Sequence, residues 1–323
     1  MRLLACLLAC ILSALPASAQ DKISFGLDWQ AEAEYGGYYQ ALATGLYAKH
    51  GLDVAIRQGG PQVNQAQLLV AGRLDFAIAS NSFIALNFVQ QGIPFVAVAA
   101  MFQKDPAVLI AHPGQGNDSF EALRGKPIMI GASTRVGWWA FLRARFGYTD
   151  SQIRPYTFNF APFLADPHAI QQGYVTSEPL SIHDASGTEP VVLLLADAGY
   201  DGYGSLIVTG RRMLADRHDV AQRFIDASIE GWRSYLSGDP APGNALIKRD
   251  NPEMTDTLLT YGRDALKQRG IIESGDALAL GIGAMTDARW AAFLASVQGQ
   301  GLFPGDLDVK QAYTLDLIDG HPR

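Results

Sequence analysis

The densest run of side chains able to hold a ligand is Asp28-Trp29-Gln30-Ala31-Glu32-Ala33-Glu34-Tyr35-Gly36-Gly37-Tyr38-Tyr39. Aromatic rings stack on a flat ligand, and carboxylates accept hydrogen bonds from its edge. Asp28, Trp29, Tyr35 and Tyr38 are therefore candidate ligand-binding residues. Each aromatic taken alone reads as readily as a packing residue; together, beside Glu32, Glu34 and a double glycine, they point to a site for a planar molecule. Ser80, Asn81 and Ser82 form a second polar cluster, and Ser133 with Thr134 a third. Both lie where a strand gives way to a helix, so free backbone N–H groups and the helix dipole favour polar or anionic ligand atoms. The plainer role for either cluster is a helix cap. Arg135 could hold an anion beside the third cluster, or simply be solvated. Trp138 and Trp139 point at different angles of one helix. One belongs in the core, and Trp138 is the one expected to reach the ligand.

Bond-making chemistry has little to work with. The six histidines, at 50, 112, 168, 183, 218 and 321, show neither H-x-x-x-H nor H-E-x-x-H spacing, which argues against a metal site. No G-x-S-x-G, P-loop or G-x-G-x-x-G after a strand is present. The reading is a binding protein, with no catalytic residue, metal or cofactor.

The elements that must position these residues follow from periodicity. Ile23 to Leu27 alternate as a half-buried strand, which delivers Asp28 and Trp29 at its carboxyl end, where open α/β sheets place ligands. Tyr39, Leu42, Ala43 and Leu46 fall on one helical stripe, which leaves Tyr35 and Tyr38 off it. A strand at 54–56, a helix over 62–71, a strand at 76–79, a helix after Ser80-Asn81-Ser82 and a strand from Pro94 to Ala100 continue a pattern typical of a parallel sheet. The pattern restarts at Val108, with a capping box predicted at Asp118 and Glu121, a strand at 126–131 and a helix opening at Ala132. Residues 106–205 thus read as a second α/β lobe inserted into a first made of 20–105 and 206–323. Beyond Thr209 helices are predicted at roughly 217–237, 243–249, 252–269 and 287–299.

Several stretches together resemble a known family. Asp28-Trp29 with the tyrosine-rich helix start, Gly45-Leu46-Tyr47, Gly51-Leu52-Asp53-Val54, Leu68 to Phe76, Gly92-Ile93-Pro94, Leu123 to Ile128 and Gln171 to Pro179 occur in the order found in periplasmic substrate-binding proteins of ABC transporters. The likeness is to the sulfonate binders and the thiamine-pyrimidine-synthesis-like proteins, and among these to the thiamine-pyrimidine-precursor branch. It implies a two-lobed α/β periplasmic binding protein of type II, with a ligand cleft between lobes and a helical C-terminal part. It also implies ligand-binding roles for Tyr174 and Glu178, and delivery of a small heteroaromatic solute to an ABC permease with its ATPase. Glu178 precedes Pro179, which predicts an extended segment there. The chain departs from the pattern at Ala31 to Tyr35, where the family has Pro-Asn and a histidine. The two added carboxylates favour a cationic or amine-bearing ligand. Alkanesulfonate, taurine or nitrate binding on the same scaffold is the alternative, and a pyrimidine-synthase-like enzyme a remote one.

Composition and address agree with export. Met1-Arg2, an apolar run to Leu15 and Ala17-Ser18-Ala19 read as a signal peptide over 1–19, implying a periplasmic protein. Lipid attachment at Cys10 is the less favoured reading. Both cysteines, Cys6 and Cys10, fall inside that segment, so thiolate chemistry and disulfides are absent from the rest. The net charge is −7, one unit more negative without Arg2, which argues against nucleic acid as a partner. A monomer is expected.

Overall fold

The computed structural model describes residues 19–60, 63 and 65–318, save the side chains of Ser133 and Val136. The predicted signal segment up to Ser18, and Ser133 as a side-chain donor, therefore lie outside what is described.

The first third of the chain builds one sheet and its helices in alternation: β1 (Asp21–Gly26), α1 (Gly36–Ala43), α2 (Leu46–Lys49), β2 (Leu52–Arg57), α3 (Gln65–Val70), β3 (Phe76–Asn81), α4 (Ser82–Gln90) and β4 (Phe95–Phe102). The chain then enters a second sheet through β5 (Ala107–Ala111), β6 (Ile128–Ile130), α5 (Trp138–Phe146), β7 (Ile153–Pro155), α6 (Ala161–Ala165), β8 (Ile170–Tyr174), α7 (Glu178–Ser186) and β9 (Val191–Leu194). β10 (Gly204–Gly210) returns to the first sheet. Six helices follow: α8 (Arg211–Asp216), α9 (His218–Ser237), α10 (Ala241–Asp250), α11 (Asp256–Gln268), α12 (Ala277–Leu280) and α13 (Asp287–Gly299).

The sheet orders are β2-β1-β3-β10-β4 and β7-β6-β8-β5-β9. Both are mixed rather than parallel. β10 runs antiparallel between β3 and β4, and β5 runs antiparallel to both β8 and β9. The cause is the return path: a strand arriving directly from the other sheet enters from the opposite end. β4 and β5 are buried at every residue, as strands covered on both faces must be. Asp75, just ahead of β3, accepts the Ser24 backbone N–H and hydroxyl, both at 2.7 Å, which fixes β3 against β1.

Three local expectations need correction. The predicted capping box at Asp118 and Glu121 is a short 3-10 turn over Glu121–Leu123, with Ser119 Oγ accepting from Ala122 N; the capping box lies instead at Thr149 and Gln152. The helix expected to open at Ala132 is a 3-10 turn over Ser133–Val136 that breaks at Gly137 before α5 begins. Glu178 is not extended: it opens α7, because proline in a first turn forfeits no helical hydrogen bond.

α1 is buried along most of its length, since α9 packs beside it on the sheet and α10 meets it at Gln40. Phe224 of α9 stacks on Phe76 with ring centres 4.3 Å apart and meets Phe25 at 5.2 Å. Gly231 of α9 lies against the α1 backbone, where a methyl group would sit 2.2 Å from the Gly37 carbonyl oxygen. Farther along, α11 touches both sheets' loops. A methyl at Gly262 would meet Ala33 Cβ at 2.7 Å and the Thr176 carbonyl oxygen at 2.9 Å. No helix among the described residues is long and apolar enough to cross a membrane.

Candidate functional site

A cavity of about 580 Å³ opens between the two sheets. Asp28, Trp29, Glu32 and Tyr35 line it from the turn after β1, and Ser80 and Asn81 from the end of β3. The facing wall is Thr134, Gly137 and Trp138 from the start of α5, Phe158 after β7, Gln172 and Tyr174 at the end of β8, and Ser177 and Glu178 leading into α7. Strand ends therefore supply the walls on both sides.

The turn after β1 is held rigidly. The Ala31 N–H donates to Gln58 Oε1 at 2.6 Å, and the Ala31 carbonyl accepts from Asn251 Nδ2 at 3.0 Å. Asp28 accepts from the Tyr35 hydroxyl at 2.7 Å and from the Ser80 hydroxyl. Burial pushes the Asp28 carboxyl above its ordinary range, against the pull of those two donors. Across the cavity, Glu178 Oε2 accepts from the Tyr174 N–H at 2.8 Å and the Ser177 hydroxyl at 2.7 Å. Its carboxyl is also raised, by burial first. Glu32 is raised well above its usual value by burial and then by the neighbouring Glu34 and Glu178 charges. Glu34 points away from the cavity into the seam between the lobes, where it accepts from the Thr176 hydroxyl. Burial lifts it to about 7.

The Trp29 and Phe158 rings meet from opposite sides, with centres 4.4 Å apart and planes tilted by 47°. Phe158 holds φ at 60°, in the left-handed region that a bulky residue enters only at a cost of about 1–2 kcal/mol. Strain of that kind persists where the surroundings enforce it, often at ligand clamps. Among the described lining residues there is no lysine, arginine or histidine.

Of the residues singled out from sequence, Asp28, Trp29, Tyr35, Ser80, Asn81, Thr134, Trp138, Tyr174 and Glu178 come together on this cavity. Tyr38 and Ser82 do not. Tyr38 is fully buried between Phe25 and Trp232, at 4.9 and 5.6 Å between ring centres, because α9 covers the helix face that the sequence alone leaves open. Ser82 is turned into the sheet, where its Oγ accepts from the Tyr203 N–H at 2.9 Å. Neither Asn81 nor Ser82 caps α4. Trp139 is core, its indole N–H donating to Asp150 at 3.0 Å, and Arg135 is exposed and does not line the cavity. The lining residues that sequence reasoning did not assign to the site include Glu32, Gln172, Ser177 and Phe158. Glu32 sat within the run already singled out, whereas Phe158 lies in an irregular stretch with no periodicity to mark it. Tyr38→Phe is expected to leave ligand affinity unchanged and to shift stability by less than about 1 kcal/mol, as urea unfolding would check.

No group of three or more His, Cys, Asp or Glu able to hold a metal ion occurs among the described residues.

Comparisons with known proteins bear on this arrangement. Residues 32–241 match the family model described as "NMT1/THI5 like". The chain is 24% identical over 308 residues to the riboflavin-binding protein RibY of Chloroflexus aurantiacus, covering 93% of this chain and 87% of that one. It is 27% identical over 109 residues to the 4-amino-5-hydroxymethyl-2-methylpyrimidine phosphate synthase THI5 of Saccharomyces cerevisiae, covering 33% and 32% of the two chains. Among solved structures, the alkanesulfonate-binding protein SsuA from Xanthomonas axonopodis pv. citri bound to MOPS superposes with a TM-score of 0.65 at 14% identity, over 93% of this chain and 100% of that one. At that identity the likeness is one of fold. The two-sheet architecture is the α/β two-lobed fold of the periplasmic binding proteins, and the chain belongs to the NMT1/THI5-like family.

Proposed function

We propose that this protein is the solute-binding component of an ABC importer, exported by its leading segment, that captures a planar heteroaromatic molecule between its lobes as a monomer and hands it to a permease. The observation that carries the reading is the cavity's chemistry: a Trp29–Phe158 ring pair, acceptor side chains at the edges, and no basic residue among the described lining. Rings stack on a planar guest, and carboxylates and amides read its N–H groups. A sulfonate or nitrate would instead meet carboxylates with no countercharge. A cavity of about 580 Å³ suits a drug-sized molecule, for which pockets run from roughly 300 to 1,000 Å³. Pyrimidine thiamine precursors and flavins both belong to the class, the second suggested by the riboflavin-binding relative. Binding without turnover is the reading for all of them.

Tryptophan fluorescence titration tests this. A 4-aminopyrimidine or riboflavin should quench the signal with micromolar or tighter affinity, and Trp29→Ala should weaken binding roughly tenfold or more. Stabilisation by alkanesulfonates together with none by planar heteroaromatics would overturn the reading.

A further inference from the structure

Four carboxyl groups converge on or beside the cavity, and each makes at least one hydrogen bond within the protein. Asp28 accepts from Tyr35 and Ser80, and Glu34 from Thr176. Glu178 is half engaged, since both of its protein hydrogen bonds fall on Oε2. Glu32 lines the cavity from the opposite lobe, where its carboxyl is hydrogen-bonded to the Trp29 side chain and has a second oxygen to offer. Independently of these acids, Asn81 lines the same cavity at 8% exposure, and its Oδ1 finds no partner among the described residues. Residues bearing acceptors thus line the ligand space from three elements: the turn after β1, the end of β3 and the start of α7.

We propose that Glu32, together with Glu178 Oε1 and Asn81 Oδ1, forms a subsite for a protonated amino group carried by the planar solute, and that Glu32 is the residue that selects for it. An ammonium group brings three donors and no acceptor, which suits a site whose side chains Glu32, Glu178 and Asn81 supply acceptors. Two of those acceptors are carboxylates, so the hydrogen bonds are charge-assisted, and a hydroxyl in the same place would gain much less. This rests on the planar-solute reading given above and narrows it to amine-bearing rings.

Isothermal titration calorimetry at pH 7.5 with two isosteric probes tests the idea: 4-amino-5-aminomethyl-2-methylpyrimidine, which carries the ammonium, and its 5-hydroxymethyl counterpart. The aminomethyl probe should bind at least tenfold tighter. Glu32→Gln should abolish that preference, and Glu32→Asp should restore part of it. A preference near unity in the unmodified protein, or one unchanged in Glu32→Gln, would overturn the proposal. Should Glu32→Gln fail to fold, as judged by circular dichroism, the Glu32→Asp variant and the wild-type ratio decide. Tight binding of riboflavin, which has no basic amine, with no preference between the two pyrimidines sinks this inference and leaves the planar-solute reading intact. Binding of an alkanesulfonate and of no planar ring sinks both.

Discussion

Gly231→Ala is expected to destabilise the protein by about 3 kcal/mol, whereas the same substitution at Gly299 is expected to stabilise it slightly. The added methyl at 231 would lie 2.2 Å from the Gly37 carbonyl oxygen and 2.6 Å from Ala41 Cβ. No rotamer relieves a clash with backbone, so α9 must back away from α1, and the stack of Phe224 on Phe76 opens with it. Helix propensity favours alanine by up to about 1 kcal/mol at both positions. At the exposed Gly299 nothing lies within 4 Å of the new methyl, so only that gain remains. Urea unfolding of the two variants measures the contrast. Equal effects at 231 and 299 would mean that the α1–α9 contact is looser than described. Because α1 continues directly from the turn that carries Glu32 and Tyr35, Gly231→Ala should also weaken ligand binding.

Glu34→Gln should be more stable than the unmodified protein at pH 8, by on the order of 3 kcal/mol, and nearly equal to it at pH 5. Glu34 is buried, Oε1 accepts from the Thr176 hydroxyl, and Oε2 has no partner among the described residues. Burial raises its pKa from 4.5 to about 7. A group raised on folding binds its proton more tightly in the folded state. Its contribution is therefore complete below about pH 4.5, declines as pH rises through 7, and is gone above that. Glutamine keeps the acceptor for Thr176 and carries no charge at any pH. Asp105, in the connection between β4 and β5, is likewise lifted by burial to about 7, so some pH dependence survives in the variant. The quantity to measure is the difference in melting temperature between the two proteins from pH 5 to 8. A difference that stays constant across that range would show that Glu34 is not held as the neutral acid.

The architecture was largely legible from local pattern. Strand and helix alternation placed β1 to β4 and, in the second sheet, β5 and β6 but not β7, β8 or β9, and the predicted helices over 217–237 and 287–299 fall on α9 and α13 within a residue. What periodicity could not supply was partnership across long separations. β10 pairs with β3 over more than a hundred residues, and its direction depends on where the chain returns from, which no window of sequence contains. Tyr38 was misplaced for the same reason: its surroundings are set by Trp232. The site divided along similar lines. Asp28, Trp29 and Tyr35 were readable because type, spacing and strand end coincide in one short run. Phe158 reaches Trp29 through a backbone conformation that its residue type disfavours, so propensity pointed away from it.

Gly262 has a mechanical meaning. Here α11 rests on Ala33 of one lobe and on the Thr176 carbonyl of the other, closer than any side chain would permit. A contact this close predicts a fulcrum: any opening of the lobes is expected to turn about it rather than slide along it. Residues beside the pivot, Glu34 and Thr176, are then expected to travel least. A bulkier residue at 262 would shift that axis and with it the angle at which the jaws meet.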